Sequence, residues 1–389
     1  MPRGPRATNR ARPQSRTDAR GTDPAPALRF GPRLFIAQTQ PGFESIAWNE
    51  IASRVPGARE MAHRQVPDRA GLTIFSAARP EALRSLRCAE DIFALAGYGH
   101  GLSSESDALA KVRNLCREAP FVEEALLARV PFQPASRAGR RLRFRVIARQ
   151  VGEHEYRRVD LKRAIELGIE ERRDHTWRLD EEAADVEFWA TQIGGELLIA
   201  VRLSDEHMRH RDYKIAHRPG SLRPSIAAAM AWLSEPRDDD IVLDPFCGTG
   251  TVLIERAQLG RYRNLIGSDR DAGAIRAARE NIGPRYKPIE LHEDWDAGAL
   301  PLADASVTKI VSNLPWGIKH GSHAANRRLY ADWIAEMNRV VAPNGKMVLL
   351  TSEWRLMREL ADRRRLAVEK MTRVTILGAA ASLYQCGKV

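Results

Sequence analysis

The segment Ile241-Val242-Leu243-Asp244-Pro245-Phe246-Cys247-Gly248-Thr249-Gly250-Thr251 constrains this chain more than any other. A short apolar strand ends on an acid, a glycine-rich turn follows, and a helix is expected from about Thr251. Gly248 and Gly250 allow the backbone to turn tightly and approach a ligand closely, with the N–H groups of the helix facing it. A second acid, Asp269, ends the next apolar strand, 19 residues after Gly250. A carboxylate there can accept both hydroxyls of an adenosine ribose. The redox dinucleotide pattern GxGxxG is not met, because its third glycine position is Leu253.

Around that turn the texture alternates between buried strands and helices. Strands are expected at 241–244, 265–269, 289–292, 308–312 and 346–351, which predicts an α/β fold with a mainly parallel, doubly wound sheet over 216–389. The front half reads differently. Residues 32–100 suggest a small β-α-β-α-β unit, with strands near 33–37, 71–75 and 92–95 and a second helix carrying Ala82, Leu83 and Leu86. A second α+β module is expected over 101–204. Its strand 141–148 alternates basic and apolar residues and would turn Arg143 and Arg145 away from the core. The polar run Ser204–Lys214 reads as a linker, bounded at 205–215.

The formal charge is +11, from 61 Lys+Arg against 50 Asp+Glu, and only nine of the cations are Lys. Residues 1–31 read as a disordered basic arm, and six arginines with no acid fall within 137–149. That excess invites an anionic partner, although an arginine-rich sequence also follows from genomic base composition. The N-terminus lacks the apolar core of a signal peptide, and no segment has the length of a membrane span. The four cysteines lie far apart, without metal-ligand spacing, so neither a metal site nor a disulfide is expected; a cytoplasmic chain with reduced thiols fits. Cys247 sits in the glycine turn with no base beside it in sequence, and reads as packing rather than as a nucleophile.

The leading Asp244-Pro245-Phe246 with a single GxG resembles motif I of class I S-adenosylmethionine-dependent methyltransferases. After the fourth strand, Ser312-Asn313-Leu314-Pro315-Trp316-Gly317 resembles the [DNS]-x-P-[YFW] motif of methyltransferases that act on exocyclic amines of bases. The residue types suit that chemistry. An exocyclic amine has its lone pair delocalised into the ring, so it is a poor nucleophile. The Asn313 side-chain carbonyl and the Leu314 backbone carbonyl could accept its two N–H bonds, with Pro315 fixing the latter's direction. Trp316 offers a flat face on which a base could stack. A plain strand-ending turn remains the alternative for this stretch. Asp296, in a segment that resembles DA-x-x-LP, is expected at the adenine amine, and 217–224 is expected to close the cofactor pocket from outside the sheet.

Over 33–389 the chain resembles the THUMP-domain tRNA guanine-N2-methyltransferases. The front-half likeness rests on Phe144–Arg149, Gly152-x-His154-x-Tyr156, Trp177–Leu179 and Asp185-Val186. The resemblance implies a ferredoxin-like domain at 32–100, a THUMP RNA-binding domain at 101–204 and a Rossmann-like catalytic domain at 216–389. It implies S-adenosylmethionine as cofactor, bound by Asp244 to Thr251, Asp269 and Asp296. It implies methyl transfer to the N2 amine of a tRNA guanosine in the acceptor stem through Asn313, Leu314, Pro315 and Trp316. Arg143, Arg145, Arg149, Arg157 and Arg158 become candidate phosphate contacts. A monomer is expected. Leu314 departs from the proline of many relatives and should leave its carbonyl looser. A ribosomal-RNA guanine-N2 methyltransferase, an adenine-N6 methyltransferase, and a non-catalytic RNA-binding factor stay open as alternatives.

Overall fold

A computed structural model of the chain describes residues 26–133, 141–286, 288–316, 323–363 and 365–389. Most of the expected arm (1–25) and Gly317 lie outside the described residues.

Among the described residues the front half builds one eight-stranded sheet. Its strands are β1 (Leu34–Thr39), β2 (Arg59–Val66), β3 (Ala70–Ser76), β4 (Asp91–Gly99), β5 (Arg141–Val151), β6 (Thr176–Leu179), β7 (Val186–Ile193) and β8 (Glu196–Arg202), in the order β2-β3-β1-β4-β8-β7-β5-β6. The two modules separated in sequence near residue 100 therefore share a sheet, joined where β4 pairs antiparallel with β8. Helices α1 (Glu44–Arg54), α2 (Ala108–Arg117), α3 (Val122–Arg129) and α4 (Arg158–Glu170) contribute to the core on one face. On β5 the period of two places Leu142, Phe144, Val146 and Ala148 in that core.

Three expectations change here. The second helix of the first unit is a short 3-10 helix, Pro80–Ser85, in which only Leu83 is buried. The strand β2 replaces nothing foreseen: its sequence is polar because it is a sheet edge. Residues 26–31 are anchored through Leu28 and Phe30, while 26, 27 and 29 stay exposed. Leu28 is buried and its N–H donates to Tyr98 Oη at 2.8 Å, while the Phe30 ring lies 5.2 Å from Phe121.

The run expected to be a linker forms α5 (Glu206–His210) and is tied down at both ends. Arg202 and Arg209 pair with the buried Asp91, and Tyr213 Oη donates to Glu255 at 2.6 Å.

The second half runs α6 (Pro224–Leu233), β9 (Ile241–Asp244), α7 (Thr251–Ala257), β10 (Asn264–Asp269), α8 (Ala272–Ile282), β11 (Ile289–Glu293), β12 (Val307–Asn313), α9 (His323–Val340), β13 (Val341–Thr351), α10 (Trp354–Asp362), β14 (Ala367–Ile376) and β15 (Ala379–Gly387). The sheet order is β11-β10-β9-β12-β13-β15-β14. The first five strands are parallel, and β15 lies antiparallel between β13 and β14. Both faces are covered. Val242 and Val348 face a core with α6, α7 and α8, whereas Leu243 and Leu349 face one with α9 and α10. The chain order reverses between β9 and β12, so the crevice for a ligand opens at the carboxyl ends of those two strands.

The halves meet through shared core and buried charge. Phe43, Ile46, Ala47 and Cys88 pack with Ile226, Ala229 and Met230 of α6. Arg87 reaches Glu255 on α7 at 2.7 Å, and Arg223 reaches Glu90 at 2.9 Å.

Candidate active site

The glycine turn sits at the carboxyl end of β9. Gly248 and Gly250 have φ of 52° and 76°, a left-handed conformation that favours glycine. A Cβ on Gly250 would come 3.3 Å from Ala278, so this glycine lets α8 pack against the turn. A Cβ on Gly248 would meet nothing within 4 Å, so that side of the turn is open to a ligand.

Each residue of the turn has a defined partner. Asp244 is buried; its Oδ1 accepts from Ser312 Oγ at 2.6 Å and from the Phe246 N–H at 3.2 Å. Burial pushes its carboxyl up to about 7 against those two donors, and the Asp269 charge adds to the rise. Pro245 offers its carbonyl to Ser268 Oγ at 3.5 Å. Phe246 lies edge-on to Trp333, with ring centroids 4.8 Å apart. The Cys247 N–H donates to Ser268 O at 2.9 Å. Burial, followed by the Asp244 and Asp269 charges, drives the Cys247 thiol well above its ordinary pKa, leaving it a neutral packing group. Thr249 Oγ1 meets Ser221 Oγ at 2.9 Å and Thr251 Oγ1 at 3.2 Å.

Asp269 reaches the turn directly: its Oδ2 accepts from the Gly248 N–H at 3.0 Å and its Oδ1 from the Asp271 N–H at 2.9 Å. Each oxygen keeps a lone pair for a further donor, as a ribose diol requires. Asp296 is on the surface, paired with Arg270 at 2.6 Å and accepting from the Gly298 N–H at 2.9 Å. An open left-handed turn with a carboxylate at its lip fits an adenosyl group. Residues 216–221 lie against it, since Asn281 Nδ2 donates to both Ala216 O and Thr249 O at 3.1 Å.

Asn313 ends β12, next to β9. Its Oδ1 accepts from Trp316 Nε1 at 3.1 Å. Indole nitrogen only donates, so this bond fixes which end of the amide is the carbonyl and leaves a second lone pair on it. Leu314 is fully buried and its N–H donates to Leu350 O at 2.9 Å. A proline could not make that bond; here β13 steadies the segment by a hydrogen bond where a ring would have stiffened it. The Pro315 carbonyl accepts from Tyr330 Oη at 2.6 Å. Trp316 packs against the core formed by α6 and its neighbours, so much of its indole is already in use. Ser312 and Tyr330 escaped sequence reasoning. Ser312 could have been found as the residue preceding Asn313, but nothing in the α9 pattern marks Tyr330.

The five arginines do not form one open patch. Arg143 pairs with Asp185 at 2.9 Å, Arg145 with Glu187, and Arg157 with Asp160 at 3.2 Å. Arg158 donates to Ala148 O at 3.4 Å. Arg149 is turned inward over the Trp189 ring, 4.5 Å from its centroid, and burial lowers its pKa to about 10. Among the described residues no cluster of His, Cys, Asp or Glu could hold a metal, and no helix is long and apolar enough to cross a membrane.

The fold and the site define a Rossmann-like methyltransferase domain. Residues 211–381 match the family model described as UPF0020, an RMKL-like methyltransferase domain. A tRNA (guanine(6)-N2)-methyltransferase of Thermus thermophilus is 31% identical over 240 residues, 61% of this chain and 70% of that protein. The chain belongs to the tRNA guanine-N2-methyltransferase family. Mouse tRNA (guanine(6)-N(2))-methyltransferase THUMP3 is 32% identical over 226 residues, covering 54% of this chain and 44% of that protein, so the match spans less than half of that longer relative. The crystal structure of TrmN from Thermus thermophilus superposes with a TM-score of 0.73 at 25% identity, over 92% of this chain and 99% of that one.

Proposed function

We propose that this chain transfers a methyl group from S-adenosylmethionine to the exocyclic N2 amine of a guanosine in tRNA, in the acceptor stem. The observation that carries this reading is the junction of Asn313 with the glycine turn: Ser312, the preceding residue, donates to Asp244 at the foot of that turn. Relatives named as tRNA guanine-N2-methyltransferases support the base and the RNA class.

Bound S-adenosylmethionine supplies an electrophilic methyl on a positively charged sulfur. The chain supplies the geometry. Gly248 leaves room for the donor beside Asp269, which can hold the ribose hydroxyls. Asn313 Oδ1 and the Leu314 carbonyl can each accept one N–H of the amine, drawing its lone pair out of conjugation and aiming it at the methyl. The new N–C bond forms as the S–C bond breaks, and the amine proton is shed to solvent from the acidic product.

The test is nucleoside mass spectrometry of tRNA incubated with the protein and isotopically labelled methyl donor. Label in N2-methylguanosine is expected. Label in N6-methyladenosine, or in ribosomal RNA only, rejects the reading.

A further inference from the structure

A cavity of about 580 Å³ lies at the carboxyl end of β13, walled by Arg327, Arg355, Glu353, Glu359, Ser352, Trp354 and Leu356. That volume is in the range of small-molecule sites, about 300–1,000 Å³. Its place in the sheet ties it to the amine motif. Asn313 on β12 stands opposite Leu350 on β13, so the cavity begins two residues beyond the register partner of Asn313. Tyr330 joins the two sides: its Oη donates to Pro315 O at 2.6 Å and meets Thr351 Oγ1 at 2.7 Å.

The sequence suggested Trp316 as the stacking face for a base. That indole is half-buried, with its Nε1–H bonded to Asn313 and its ring packed on the core beneath. A second and more exposed aromatic lies at the cavity, Trp354, 48% exposed, with the Arg355 guanidinium over one side of its ring at 5.2 Å. Ser352 Oγ is buried in the wall and has no hydrogen-bond partner among the described residues. Arg327 is drawn to Glu359 at 3.0 Å, and Glu359 also holds Arg363 at 2.8 Å, so one carboxylate is shared between two cations. A stacking face and an unsatisfied hydroxyl suit a nucleoside, and of the two arginines on the rim, balanced by Glu353 and Glu359, Arg355 lies beside the stacking face.

We propose that this cavity receives the guanosine drawn out of the RNA for methylation, its base stacked on Trp354, its phosphate side toward Arg327 and Arg355, and its amine turned back to Asn313. The proposal rests on the function proposed above.

Saturation-transfer NMR with guanosine 5′-monophosphate tests it on the full chain, as wild type, Trp354→Phe and Trp354→Ala. Transfer to the base proton H8 is expected in wild type and Trp354→Phe and lost in Trp354→Ala, with S-adenosylhomocysteine affinity by calorimetry equal in all three. No transfer in wild type, equal transfer in Trp354→Ala, or a Trp354→Ala chain that also loses S-adenosylhomocysteine affinity overturns it. On tRNA, Trp354→Ala should lower kcat/KM about tenfold or more and Trp354→Phe should recover most of it; an unchanged kcat/KM overturns the proposal. A wild type that binds the nucleotide at Trp354 yet methylates no tRNA guanosine rejects the function and leaves the nucleoside pocket standing.

Discussion

Ser312 Oγ donates to Asp244 Oδ1 across 2.6 Å, and both side chains are buried between β12 and β9. One hydrogen bond thus locks the strand that carries Asn313 to the strand that carries the glycine turn. The burial that makes this lock rigid also raises the Asp244 carboxyl to about 7, against an ordinary value near 4. Between those pH values the folded chain holds a proton that the unfolded chain has released. Stability therefore falls as pH rises through the window, and the deficit persists above it. Asp244→Asn is neutral throughout, so its unfolding free energy relative to wild type should climb from pH 4 to pH 8 in urea titrations. A difference that stays flat with pH rejects the assignment.

Asn313→Ala removes one of the two acceptors proposed for the amine while sparing the glycine turn. The expected outcome is a fall in kcat of roughly a hundredfold or more, with S-adenosylmethionine affinity by calorimetry and tRNA affinity by filter binding little changed. Wild-type turnover in this variant excludes the amine-acceptor role.

Arg157 and Arg149 should part company. Arg157 is 81% exposed and is held by Asp160. Arg157→Ala should lower the slope of log affinity for tRNA against log salt by about 1, with no loss of stability. Arg149 donates to Gln38 Oε1 at 2.8 Å beneath Trp189. Arg149→Ala should destabilise the front half by about 2 kcal/mol, as loss of a buried hydrogen-bonded group does, and leave the salt slope unchanged. Salt titrations and thermal melts of both variants decide this.

The Arg87–Glu255 pair crosses between the halves at 2.7 Å with Glu255 fully buried. Arg87→Ala leaves that carboxylate, among the described residues, with Tyr213 and Arg211. The cost should be about 3 kcal/mol, the low end for breaking a buried pair because two partners remain. Calorimetry should show the melting temperature lowered; an unshifted transition argues against a buried joint.

The parallel core strands β9, β10, β12 and β13 were legible because strands buried on both faces read as apolar runs bounded by turns. Edges were not. β2 is largely polar, and β14 carries Glu369, Lys370 and Arg373 on an exposed flank, since an edge strand has only one partner and much of its surface in water. The β14–β15 hairpin turns on Leu377 and Gly378, both at positive φ, a shape that a Leu-Gly pair does not advertise. The charged run 204–214 looked solvated for a related reason. Its arginines answer Asp91 and Glu255, which lie more than forty residues away along the chain, and charge composition carries no record of a distant partner.

The residues proposed to bind the cofactor stood out because a left-handed turn admits few residue types. Arg149 misled in the opposite sense. Alternation on β5 told which residues leave the helical core, but the other face of the sheet is itself partly covered, so leaving one core did not mean reaching water.

A sheet that runs unbroken from β2 to β6 has no hinge within it, and Arg87 and Arg223 fasten it to the methyltransferase half. The front half is then a caliper of fixed opening. On the function proposed above, the nucleotide brought to Asn313 would be chosen by a set distance along the RNA, before any base is read.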